Sequence, residues 1–120
     1  MGETAKRVLV IDDDAAMARM IAITLRTDGF AVEVADDGRA GLERLDAGSR
    51  PDAIILDLVM PVMDGRSFYR ALRSRGDDTP VLILSSYDAS AAARELGADD
   101  YLAKPFQPLV LSERLRRLIT

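Results

Sequence analysis

Three uninterrupted apolar runs, Val8-Leu9-Val10-Ile11, Ala53-Ile54-Ile55-Leu56 and Val81-Leu82-Ile83-Leu84, constrain the fold of this chain more than any other feature. Each is too short and too β-branched for a buried helix, and with no polar residue in alternation it reads as a strand covered on both faces. Strands of that kind belong to parallel sheets, whose crossover helices supply both covers. The segments between the runs provide such helices. Met17, Met20, Ile21 and Leu25 recur at helical spacing, with Asp14 as N-cap and Asp28-Gly29 as the stop. Asp37-Gly38 opens a helix carrying Leu42 and Leu45, and Asp64-Gly65 precedes one that turns Phe68, Ala71 and Leu72 inward.

Two weaker strands complete the pattern. In Ala31 to Ala35, Glu33 stands between Val32 and Val34, an alternation that fits a sheet edge; Tyr101 to Ala103 is short. An alanine-rich helix runs to Leu96 with Gly97 as its cap, and a last helix after Pro108 points Leu111, Leu115 and Leu118 at the core, leaving Arg114, Arg116 and Arg117 outside. Five strands alternating with five helices predict an α/β fold, a single (βα)5 doubly wound domain spanning 1–120 with no output domain. With the uninterrupted runs in the middle, the five-stranded parallel sheet takes the order 2-1-3-4-5, the flavodoxin-like arrangement.

Composition excludes several chemistries. The chain of 120 residues contains no cysteine and no histidine, which removes disulfides, thiolate nucleophiles, Cys/His zinc sites and every histidine-based triad. A formal charge of −4 argues against direct nucleic-acid or anionic-membrane binding. With no apolar run approaching membrane-spanning length and no signal-peptide core, a cytoplasmic location is expected.

The chemistry lies where the strands end. The first run finishes at Asp12-Asp13-Asp14, the second at Asp57, the third at Ser85-Ser86 and the last strand at Lys104-Pro105. Alone, Asp12 to Asp14 would be a turn with an N-cap. In the 2-1-3-4-5 order, however, Asp12, Asp13 and Asp57 converge on adjacent strands, flanked by Ser85 and Lys104. Three close carboxylates raise one another's pKa, a cost that a cation relieves. An all-oxygen site suits Mg²⁺, with Mn²⁺ as the other candidate. Asp57 can serve as nucleophile while the metal, Lys104 and Ser85 each hold one phosphoryl oxygen.

These residues, with Met60-Pro61-Val62-Met63-Asp64-Gly65, Gly97-Ala98-Asp99-Asp100-Tyr101 and Lys104-Pro105-Phe106 in the same order, resemble the receiver domain of two-component response regulators over essentially the whole chain. The resemblance implies that Asp57 is the phosphoacceptor in a phosphorelay and that Asp13, Asp57 and the Val59 carbonyl hold Mg²⁺. It further implies that Asp12 acts through a metal-bound water and that Ser85 and Tyr101 form a switch pair altering the fourth helix, fifth strand and fifth helix, a face open to a downstream effector. The domain is then no enzyme beyond its own phosphorylation and slow dephosphorylation. Lacking histidine, it receives its phosphoryl group from a sensor histidine kinase, a histidine phosphotransfer protein or a small phosphodonor. The alternative is a phosphorylation-independent interaction module of the same fold.

Two departures stand out. Ser85 to Gly97 spans 12 positions (97 − 85), about three fewer than the resemblance leads one to expect, close to one helical turn. The fourth helix or its leading loop is short, and because Ala91-Ala92-Ala93 offers few large side chains the helix is expected to be weakly packed and more mobile than its neighbours, its face making a changed or heterologous contact. Val59 and Tyr87, which flank the implied path of the attacking water, are poor at orienting it, so self-dephosphorylation is expected to be slow.

Overall fold

In the computed structural model, which describes residues 5–60, 62–86 and 89–119, the three apolar runs are the three inner strands of one parallel sheet. The elements alternate as β1 (Arg7–Ile11), α1 (Ala15–Thr27), β2 (Ala31–Ala35), α2 (Gly38–Asp46), β3 (Ala53–Asp57), α3 (Gly65–Ser74), β4 (Val81–Ser85), α4 (Ala89–Leu96), β5 (Asp100–Ala103) and α5 (Pro108–Ile119). The sheet order is β2-β1-β3-β4-β5, as the runs require. Every residue of β3 and β4 is buried, whereas β2 and β5 are only partly covered, as edge strands must be.

Strand alternation sorts the helices onto two faces. Leu9, Ile11, Ile54, Leu56 and Ile83 point to one side and pack with Leu45 of α2, Phe68 and Leu72 of α3 and Ala92 and Ala93 of α4. Val8, Val10, Ile55, Leu82 and Leu84 point to the other and pack with Ile21 and Leu25 of α1 and Leu111 and Leu115 of α5. Three helix starts follow one rule: Asp14, Asp37 and Asp64 each accept the backbone N–H three residues on, occupying a donor the helix leaves open.

Helix α4 packs as its sequence suggests, burying only Ala89, Ala92 and Ala93. What it lacks in apolar contact is supplied by polar ties to α3. Arg66 pairs with Glu95 at 2.5 Å, and the Tyr69 hydroxyl donates to the Gly97 carbonyl at 3.1 Å. Arg73 stacks over the Tyr69 ring and donates to the carbonyls of Asp77 and Thr79. At the other edge Glu33 is half-buried, paired with Arg44 and accepting from the Ser49 hydroxyl, so its side of the edge strand is capped by α2 and the turn after it.

Candidate functional site

Because β1 and β3 are neighbours in the register Ile11↔Leu56, the residues that follow them emerge side by side at the carboxyl end of the sheet, where open α/β sheets bind ligands. Carboxylate oxygens of Asp12, Asp13 and Asp57 lie within 4.8 Å of one another. Asp57 is 6% and Asp12 2% exposed, while Asp13 faces solvent. The next strand lies alongside in the register Asp57↔Leu84, which sets Ser85 one step beyond, and Ser85↔Ala103 brings Lys104 to the same edge. The Lys104 ammonium is 3.1 Å from Asp12 Oδ2 and 3.6 Å from Asp57 Oδ1. Its peptide bond to Pro105 is cis, and its N–H donates to the Ser85 carbonyl at 2.9 Å.

Both oxygens of Asp12 are engaged: Oδ2 faces Lys104, and Oδ1 accepts the backbone N–H of Asp14 at 2.9 Å. Burial and the neighbouring Asp12 carboxylate push the Asp57 carboxyl up to about 6, against the opposing pull of Lys104 and of the Val59 N–H that it accepts. It is still ionised at neutral pH. The three carboxylates outnumber the one ammonium and offer only oxygen donors, the donor type a hard dication takes up. The residues present therefore fit Mg²⁺ or Mn²⁺, with Asp12, Asp13 and Asp57 as the groups that would hold it or its waters.

The loop joining Asp57 to α3 is shaped by backbone contacts. The Gly65 N–H donates to the Leu58 carbonyl at 2.9 Å, closing the loop on itself, and the Gly38 N–H donates to the Met63 carbonyl at 3.3 Å. Asp64 accepts the Ser67 N–H, which holds its carboxyl below the usual range. Val59 and Val62 point outward, 72% and 75% exposed. Tyr101 is 41% exposed on β5, its carbonyl accepting from Arg114 of α5. Tyr87 lies outside the described residues.

All the strand-end residues expected from the sequence thus meet at one edge. Sequence reasoning missed the Asp14 amide that orients Asp12, the Val59 amide on Asp57 and the Gly38–Met63 contact. A cleft at the opposite end of the sheet, lined by Asp46, Arg50, Arg75 and Thr79, is remote from these groups, and its Arg75 is paired with Asp46 at 2.7 Å.

A doubly wound sheet that gathers three carboxylates and an ammonium at its carboxyl edge, with Asp12 and Asp57 both buried there, has the arrangement that fits a phosphoacceptor site. Residues 8–116 match the model of the response regulator receiver domain, and the chain belongs to that family, the receivers of two-component signalling. Over 116 residues it is 46% identical to the response regulator MprA of Mycolicibacterium vanbaalenii, covering 94% of this chain and 50% of that protein. The chain thus spans about half the length of the curated relatives it matches. Among solved structures, the receiver domain of the Francisella response regulator 1452 superposes with a TM-score of 0.87 at 38% identity, covering 95% of this chain and 96% of that one. The chemotaxis response regulator CheY4 of Vibrio cholerae superposes at 0.86 with 37% identity, covering 96% and 99%.

Proposed function

We propose that Asp57 accepts a phosphoryl group from a partner histidine kinase or histidine phosphotransfer protein in a Mg²⁺-dependent reaction, and that the modified domain presents a changed α4-β5-α5 surface to a downstream effector. The observation that carries this reading is the Asp57 carboxylate itself, buried at the strand ends with Asp12 and Asp13 within 4.8 Å and Lys104 at 3.6 Å. An Asp57 oxygen attacks phosphorus in line, forming a P–O bond as the bond to the donor's histidine nitrogen breaks. Lys104 stands where it can take up an oxygen of the transferred group, exchanging its contact with Asp57 for one with the phosphoryl. Mg²⁺, when bound, would neutralise charge on the equatorial oxygens. Ser85 and Tyr101 would then report occupancy to the α4-β5-α5 face, and the domain would act as a signalling part in the cytoplasm, not as an enzyme with turnover.

The decisive experiment is intact mass after incubation with acetyl phosphate and Mg²⁺. The wild type is expected to gain one phosphoryl group and Asp57→Asn none. A wild type that gains nothing would leave the phosphorylation-independent interaction module as the better account.

The lifetime of the product can also be read. Val59, whose backbone N–H reaches the Asp57 carboxylate, carries an apolar, exposed side chain that can offer an attacking water no hydrogen bond. Val59→Asn would add one, and a hydrogen bond contributes about 1 kcal/mol, so decay of the acyl phosphate is expected to quicken roughly five- to tenfold. Phosphate release followed after removal of the donor checks it; an unchanged rate would show that Val59 does not set the lifetime.

A further inference from the structure

Val62 has a φ of 67°, the left-handed region, in a loop where glycine would be the ordinary occupant. A β-branched residue does not choose that conformation, and residues held so persist only where their surroundings impose it. The side chain of Val62 is 75% exposed, so its own packing imposes nothing. The constraint comes from the next residue. Met63 is fastened to another element of the fold, its carbonyl accepting the N–H of Gly38 at the first position of α2.

That contact satisfies both partners, because the first amides of a helix have no acceptor within it. It also requires glycine. A Cβ on Gly38 would stand 2.9 Å from the Met63 carbonyl oxygen, 2.9 Å from its Cγ and 3.2 Å from its Cβ. The other end of the same loop closes through Gly65 N–H to Leu58 O, and between the two fastenings lies Val59, whose N–H reaches the Asp57 carboxylate. The loop is therefore fastened at Met63 from α2, an element that contributes no side chain to the acidic cluster among the described residues.

We propose that Gly38 is a positioning residue for the phosphoacceptor loop: its missing side chain and its helix-start amide draw Met63 onto α2, hold Val62 in its left-handed turn and thereby set the Val59 backbone against Asp57. The proposal rests on the reading of Asp57, Asp12 and Asp13 as a Mg²⁺ and phosphoryl site. Gly41, on the same helix, provides the control. A methyl there would meet Ile11 Cδ1 at 2.6 Å and Phe68 Cε1 at 3.1 Å, which disturbs the core without touching the loop.

The test is calorimetric titration of the folded protein with Mg²⁺, alongside its urea midpoint. Gly38→Ala is expected to weaken Mg²⁺ binding roughly tenfold, the low end of what outer-shell changes cost, whereas Gly41→Ala lowers the midpoint and leaves Mg²⁺ affinity near wild type. Equal affinity in Gly38→Ala and wild type, or equal weakening in both variants, would overturn the proposal. Should Gly38→Ala alone not fold, Gly38→Ala/Val62→Gly is compared with Val62→Gly, since glycine at 62 lets the loop step aside from the new methyl; the same weakening is expected, and equal affinities overturn it. A wild type that takes up no Mg²⁺ would bring down the metal reading and this one together, which separates that failure from failure of the latch alone.

Discussion

Gly65→Ala is expected to remove a large share of the stability of the domain and its phosphoryl uptake with it. A methyl on residue 65 would sit 2.4 Å from the Asp57 carbonyl oxygen and 2.7 Å from Leu58 Cα. Both are main-chain atoms at the end of a fully buried strand, so no side-chain rotation relieves the clash and the backbone must move. Overpacking of this kind costs about 3 kcal/mol or more, against a total of roughly 5–15 kcal/mol for a domain of this size. Gly76→Ala is the comparison: its φ is +78°, but a methyl there meets nothing within 4 Å, so only the left-handed penalty of about 1 kcal/mol applies. Urea denaturation of both variants checks the difference. A Gly65→Ala midpoint near that of Gly76→Ala would mean that β3 and α3 can slide apart more easily than their packing implies.

Gly65 also shows which parts of this fold can be read before folding. Its place in Met60-Pro61-Val62-Met63-Asp64-Gly65 marks a turn into a helix, but the reason for glycine is space, not backbone freedom, and space is a property of the assembled β3-α3 pair. The sheet order was legible because Val8 to Ile11, Ala53 to Leu56 and Val81 to Leu84 carry no polar residue and must lie inside, leaving Glu33 and the short β5 for the edges. Adjacency of Asp12 and Asp57 followed from that order and from parallel register alone. The ties that place α4 were not legible. Arg66 and Tyr69 look like ordinary positions of an amphipathic helix, and only the tertiary approach of Glu95 and the Gly97 carbonyl gives them these partners. Ser112 escaped for the opposite reason. It reads as an ordinary polar position on α5, yet it is fully buried beside Leu111, and its hydroxyl finds no hydrogen-bond partner among the described residues.

In the absence of divalent metal, Asp57→Asn is expected to be more stable than the wild type at neutral pH, and to lose that advantage in acid. The Asp57 carboxyl is raised from 3.8 to about 6, by burial first and by the Asp12 carboxylate second. Below the lower value both folded and unfolded chains carry the proton, and Asp57 penalises neither. As pH rises from about 4 to about 6, the unfolded chain releases the proton while the folded one retains it, so folding stability falls across that interval and levels off above it. The difference between the two values corresponds to roughly 3 kcal/mol at 1.36 kcal/mol per pKa unit, the most that asparagine can recover. A competing expectation comes from Lys104: if its attraction at 3.6 Å outweighed burial and Asp12, asparagine would destabilise the fold. Lys104 is nearer to Asp12, at 3.1 Å, and keeps that partner when Asp57 is replaced, so the attraction lost is the smaller of the two. Urea midpoints of both proteins in EDTA at pH 7.5 and pH 4 decide between them. A variant less stable than wild type at pH 7.5 would sink the account, and a gap equally wide at both pH values would show that the gain does not come from the charge. Mg²⁺ should narrow the gap at pH 7.5, because the ion offsets the repulsion that asparagine removes and stabilises whichever folded form binds it more tightly.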